Sequence, residues 1–588
     1  MKWGLAGMLA FVLTTNGLAA NSIDARRQQL RSLLDEEWEY TLRTHPEFAT
    51  YVGDSRFNDK LNDYSPEAVE RELKHAQDAL NRIQSIDITG FPEQEKTNKE
   101  IALRELQQQI DSVRLKQWEM PVNQMWGIHH SYAALPSQLT FRTVRDYEDY
   151  VARLRQMPRA FEQTIAVMRL GLKDHMVPPR YLLEKVATQA RDIADKTPEA
   201  SVFAKPLEKF PSGISEADRK RLRDAVLTAT KNDVAPAFAR FAKFVRTEYA
   251  PKGRAEYGVW ALPNGDSMYR FDVRQMTTTQ MTPEEIHRMG LKQVDEIEGE
   301  MLRIARQQGF TDLKSFNAHI RADRTRYATS GKQLLDLYQH YTDQMYGKLP
   351  QLFGHLPQNK LEVVPMEDFR APDEVPADYS PGALKSGRPG RINVNEYAPE
   401  KRLLLNVEAI AYHEGVPGHH LQFTIAAELP DLPPFRKYAS FTAYTEGWGL
   451  YSERLAKDVG FYEQWYSEYG RLQNEIWRAV RLVVDTGVHH KHWSRDQMLD
   501  FFRQHTAMDE QNIVTEVDRY IAWPGQALAY KLGQMKIIEL RERARRKIGE
   551  EFDIRTYHDA VLEQGPVPLD VLERHIDGWI ASQKSAAR

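Results

Sequence analysis

Apolar residues recur at helical spacing along most of this chain, and that pattern restricts it to a mostly α fold. From Ser22 to Arg43 the positions Leu30, Leu33, Leu34, Trp38 and Leu42 share one helical face. Thr97 to Trp118 does the same with Ile101, Leu103, Leu106, Ile110 and Val113. Val144 to Leu172 is amphipathic, and Thr143 with Asp146 forms a capping box at its start. Arg219 to Glu248 predicts another long helix. Thr282-Pro283-Glu284-Glu285 is a start signal, with Thr282 as N-cap, Pro283 at the first helical position and Glu285 closing the box. The helix it opens is expected to run to about Gln308 and stop at Gly309.

Two stretches break the pattern. Lys252 to Tyr269 carries turn residues such as Pro263-Asn264-Gly265-Asp266. Val363 to Val394 is rich in Pro and Gly and ends in the alternating segment Gly390 to Asn395, which reads as a short strand. A boundary near residue 270 then divides an N-terminal helical lobe, 21–270, from a C-terminal lobe, 271–588, that holds the chemistry. With 588 residues the chain is long enough for more than one core.

The 79 basic and 83 acidic side chains nearly cancel, which argues against a nucleic-acid partner. The chain has no cysteine, so thiol catalysis, Cys-ligated zinc and a lipid-modified N-terminal Cys are excluded. Met1-Lys2, the apolar run Gly4 to Leu13 and the exit Gly17-Leu18-Ala19-Ala20 read as a signal peptide over 1–20. The run is shorter than the roughly 20 residues a membrane span needs. The mature protein is therefore expected in the periplasm or secreted, with no stable membrane insertion.

The segment Leu405 to Phe423 contains His413-Glu414, then Gly415-Val416-Pro417-Gly418, then His419-His420. Zinc hydrolases place two imidazoles on one helix face with a Glu beside the first as general base, usually as H-E-x-x-H. Here His419 lies six residues on and, on an unbroken helix, would point about 240° away; His420 lies seven on, about two turns higher. Pro417 and Gly418 must break that helix. A bulge absorbing two residues returns His419 to the ligand position, and one absorbing three returns His420. The Gly418-His419 pair favours His419, with His420 then a substrate contact. Downstream, Glu446 and Glu453 are seven apart, so they share a helix face inside an apolar, aromatic run. A carboxylate there is costly unless paired or metal-bound. Glu446 is the candidate third ligand and Glu453 a supporting residue behind the ligands.

HEGVPGHHLQ followed by YTEGWGLYSE resembles the bacterial family catalogued as domain of unknown function 885. Met281 to Glu285, Val483 to Gly487 and Trp523 to Lys531 carry the resemblance over most of the chain. More distantly the chain is similar to carboxypeptidase Taq, thimet oligopeptidase and angiotensin-converting enzyme, which are helical gluzincins. The resemblance implies a two-lobed helical fold around a deep cleft, with a short strand beside the active site. It also implies one Zn²⁺ per chain, held by His413, His419 and Glu446, and a peptide substrate. Glu414 would take a proton from water and pass it to the leaving amine. Such enzymes supply a Tyr or His from a late helix to the developing oxyanion. Tyr530 is the first candidate, Tyr520 the second, and Gln526 a substrate contact.

Asp485 could accept the second N–H of a ligand imidazole. His489-His490 read as a helix end, and His129-His130 as structural or cleft-facing. The strand Ile392 to Asn395 could pair with an extended substrate, and Arg391 or Arg519 could hold a substrate carboxylate. A zinc amidase or esterase would use the same residues. A non-catalytic metal- or peptide-binding protein is the third class, and Glu414 beside His413 speaks against it.

Overall fold

A computed structural model of the chain describes residues 22–368, 370–383 and 387–586. The expected signal segment, 1–20, lies outside the described residues. The protein is mostly helical, and the capping signals are where the chain starts its helices. Thr143 and Thr282 both close capping boxes, opening Val144–Lys173 and Pro283–Gln307. The segment read as one helix from 219 to 248 runs as Glu216–Ala229 and Ala235–Phe244, separated and followed by wide π turns at Thr230–Val234 and Val245–Tyr249. Among the described residues no helix is long and apolar enough to cross a membrane.

Residues from Leu61 to Ala250 build one apolar core. The expected boundary at residue 270 does not fall in a linker. It lies inside the helix Gly265–Thr277, which buries Met268, Tyr269, Phe271 and Val273. The first helices also cross that division: Arg104 pairs with Asp570 at 2.7 Å and Asn98 accepts from Arg436 at 2.8 Å. They thus pack on the far end of the chain as well as on their sequence neighbours.

The Pro-rich stretch holds three short strands: β1 (Leu361–Pro365), β2 (Ala377–Ser380) and β3 (Gly390–Val394). Their order is β1-β3-β2, with β1 parallel and β2 antiparallel to β3. The strand read from sequence is therefore the central one. Both its edges are occupied, so it cannot take up a substrate strand. The outer edge of β2 has no strand partner among the described residues. β3 buries Ile392 and Val394 against the helix Val407–Glu414, and Ile392 abuts Gly415.

Candidate metal centre

The helix Val407–Glu414 stops at Gly415, and a new helix, His419–Glu428, begins four residues later. An unbroken helix would bond the Gly418 N–H to the carbonyl four residues back. Instead it donates to the Tyr412 carbonyl, six back, at 3.0 Å. The His420 N–H reaches Gly415, five back, and regular i−4 bonding resumes at Gln422. The loop absorbs two residues, which is the displacement that brings His419 beside His413. Gly418 is required for this closure, since a Cβ there would stand 2.0 Å from the His413 carbonyl oxygen. The Trp448 indole donates to the Pro417 carbonyl at 2.9 Å, tying the loop to the helix Thr442–Leu455.

That helix supplies the third side chain. Glu446 Oε2 lies 3.4 Å from His413 Nε2 and 3.4 Å from His419 Nε2. The donor atoms of His413, His419 and Glu446 all lie within 4.8 Å of one another, a set that could hold a metal ion. One turn on, Gly449 leaves room for the imidazole: a Cβ would stand 2.6 Å from His413 Nε2. A further turn on, Glu453 accepts from His413 Nδ1 at 2.8 Å. With its proton on Nδ1, the ring would present its Nε2 lone pair to a metal held between it, Glu446 and His419. Arg478 in turn holds Glu453 at 3.3 Å.

The electrostatics separate the two neighbouring acids. Burial alone would raise the Glu446 carboxyl, but the two imidazoles beside it outweigh that and hold it well below the usual range. Burial pushes the Glu414 carboxyl up to about 8, with the Glu446 and Asp378 charges adding to the rise and His419 opposing it. Glu446 is thus a fixed anion, and Glu414 a carboxyl poised to exchange a proton near neutral pH.

Comparison with known proteins decides the family. The profile of the family described as bacterial protein of unknown function (DUF885) matches residues 46–576. The chain belongs to the DUF885 family. No curated protein matches it. A solved "putative lipoprotein" from Colwellia psychrerythraea is 28% identical and superposes with a TM-score of 0.88, over 95% of this chain and 100% of that one. A second, described as a "putative lipoprotein of unknown function" from Shewanella oneidensis, is 15% identical with a TM-score of 0.69, over 94% and 99%. The latter likeness is one of fold alone.

In this DUF885 chain the remaining candidates divide. Tyr530 stands at the cluster, its ring centroid 6.1 Å from that of His413. Its hydroxyl accepts from Arg519 at 2.8 Å and Gln526 at 3.3 Å, which leaves its own proton for another acceptor. Gln526 is buried and holds Arg519 at 2.9 Å. Tyr520 is not placed to meet a substrate: its hydroxyl donates to Glu516 and accepts from Arg481 and Trp477 in the core. Asp485 accepts from the Tyr269 hydroxyl at 2.6 Å and the Gly525 N–H at 3.1 Å, so it supports no ligand imidazole. His420 points away from the cluster. Its Nδ1 meets the Tyr379 hydroxyl and its Nε2 the Asn359 carbonyl, and burial lowers its pKa to about 4. His489 bonds Val259 and Tyr520 backbone in the interior. His129 is buried, while His130 lines a cavity. Arg391 pairs with Glu362 at 3.2 Å.

That cavity, about 450 Å³, is lined by Trp126 and His130 on one side and by Glu374, Asp378 and Tyr379 on the other. Tyr379 links it to the cluster, its ring centroid 6.4 Å from that of His419. A larger cavity of about 1010 Å³ runs along the helix Arg180–Ala194, and neither cavity is lined by the cluster residues themselves. Sequence reading missed Arg478 and Arg481. They sit in the run Trp477 to Val484, which reads as a core helix, and two arginines on such a face were the signal that a buried polar site lay there.

Proposed function

We propose that this DUF885 protein is an exported zinc-dependent peptidase that hydrolyses peptide bonds through a metal-activated water. The observation that carries the reading is the His413–His419–Glu446 cluster with its Glu453 support. Tetrahedral zinc with bonds of about 2.1 Å sets its donors about 3.4 Å apart, which is the Nε2–Oε2 separation here. Two imidazoles and one carboxylate kept ionised match zinc's ligand preferences. The His–carboxylate contact behind His413 is the usual outer support of such a ligand. When bound there, zinc supplies Lewis acidity toward water and the scissile carbonyl.

The protein's own groups do the rest. Glu414, with its raised pKa, accepts the water proton and returns it to the leaving amine. Tyr530 has a hydroxyl proton free to donate to the developing oxyanion. The cavity lined by Trp126 and by Asp378, Tyr379 and Ser380 of β2 is where a peptide would lie, in the cleft between two lobes that the gluzincin resemblance implies. The Colwellia relative's description as a lipoprotein supports an extracytoplasmic location, as does the reading of 1–20 as a signal.

The test is zinc-loaded protein incubated with a mixed peptide pool read by mass spectrometry. Cleavage by the wild type and a drop of about 10²- to 10⁴-fold in Glu414→Gln, with the metal still bound, are expected. A zinc-loaded wild type that leaves every peptide intact contradicts the reading.

A further inference from the structure

Tyr530 sits among three buried guanidinium groups. Arg478, Arg481 and Arg519 lie 5.8, 4.2 and 5.9 Å from its ring centroid. Two carboxylates serve these three cations: Glu453 takes Arg478 at 3.3 Å, while Glu516 takes Arg481 at 2.9 Å and Arg519 at 3.6 Å. Arg478 Nε, Arg481 Nη1 and Arg519 Nε are buried without a hydrogen-bond partner among the described residues. A buried cation is costly without a matching anion, and within 4 Å this group of three cations has two carboxylates among the described residues. Arg519 is the member placed to receive another. Its Nη2 meets only the neutral acceptors Gln526 and Tyr530. Its guanidinium also lies 6.0 Å from the Trp523 ring, which packs on Trp126 of the cavity wall with centroids 5.0 Å apart, so through Tyr530 and Trp523 it joins the cluster to the cavity. Arg519 lies 5.9 Å from the Tyr530 ring centroid, which lies 6.1 Å from that of His413, so the guanidinium is within three to four residues of extended chain, at about 3.3–3.6 Å each, of the cluster.

We infer that Arg519, oriented by Gln526 and Tyr530, binds a carboxylate of the substrate within about four residues of the bond that is cut. This rests on the hydrolytic reading and names its substrate class: peptides with an anionic group near the scissile bond. A free C-terminus would supply it, and so would an Asp or Glu side chain. A charge-assisted bond from the guanidinium suits either; it is a single-point contact, because both Nη2 hydrogens are taken by Gln526 and Tyr530.

The experiment is calorimetric binding of short peptides to zinc-loaded Glu414→Gln protein, which needs no turnover. Each peptide is offered with a free and an amidated C-terminus, and, in the amidated series, with Glu or Gln at the last two positions. The expected result is binding about tenfold or more tighter for the acid of a pair. A preference confined to the free terminus makes the enzyme a carboxypeptidase, and one confined to Glu makes it selective for an acidic side chain; either supports Arg519. Arg519→Met in the same background is expected to abolish the preference, and Arg519→Lys, which keeps the charge, to retain part of it. Equal binding of acid and amide, or no binding by either, overturns the inference, and the comparison within unsubstituted Arg519 protein stands even if the variants do not fold. Acid-selective binding with no cleavage by the wild type would instead leave the carboxylate site standing and refute the peptidase.

Discussion

Gly449 has no side chain because His413 occupies the space one would need, with Nε2 2.6 Å from where a Cβ would stand. Gly449→Ala is therefore expected to displace the imidazole and abolish metal binding in a protein that still folds, checked by bound zinc alongside far-ultraviolet circular dichroism. Glu453 acts on the same ring from behind. Glu453→Gln keeps the shape but weakens the Nδ1 contact and should lower zinc affinity by about 10- to 100-fold, read by competition with a chelator. At this scale much of the site was legible. His413, Glu414, Glu446 and Glu453 follow from residue type and spacing alone, because helical period places them. Choosing His419 over His420 required the bulge to absorb a definite number of residues. That number is fixed by the Gly418–Tyr412 bond and the Trp448 tie, neither of which spacing reveals.

The helices Thr442–Leu455 and Ala529–Ile548 cross with Gly447 against Gly533. A Cβ on Gly533 would stand 1.8 Å from the Ala443 carbonyl oxygen, so the backbones meet without side chains between them. This crossing sets Tyr530, one turn before Gly533, beside His413. Gly533→Ala should force the helices apart and cost about 1–3 kcal/mol, measured by urea unfolding. Gly578→Ala is the control: it lies in the helix Leu569–Ala586 with nothing near its missing Cβ, and should gain up to about 1 kcal/mol. Long helices with capping boxes were readable from sequence because their signals are local, as at Thr143 and Thr282. β1 and β2 were not: each is short, set among prolines, and given its role only by pairing with β3. Asp485 and Tyr520 misled for a related reason. Their partners, Tyr269 and Arg481, are distant in sequence, and a polar residue on a core helix does not announce which neighbour will satisfy it.

Across the whole molecule, the N-terminal and C-terminal segments are joined by buried polar contacts as well as apolar ones, and one of these gives a pH signature. Asp485 binds Tyr269 and the Gly525 N–H, and burial raises its carboxyl to about 7, against an unfolded value of about 3.9. The folded state holds a proton there that the unfolded state has lost. This contribution is intact below about pH 4 and falls as pH rises toward 7. Asp272, accepting from Gln117 at 2.6 Å and raised to about 8 by burial, acts in the same direction. Between pH 5 and pH 7.5 this falling contribution opposes the rising one from buried imidazoles such as His420 and His489, and Asp485→Asn should remove it, so the variant's urea midpoints gain on the wild type's as pH rises. An unchanged slope in the variant would show that Asp485 ionises normally in the fold. At the centre of the site His413, His419 and Glu446 hold three donor atoms together, and metal stoichiometry in single variants tests that most directly. About one zinc per chain is expected in the wild type and in His420→Ala, with loss in His413→Ala, His419→Ala and Glu446→Ala. A folded wild type that takes up no metal when zinc is supplied, or a site lost in His420→Ala and kept in His419→Ala, would contradict the account.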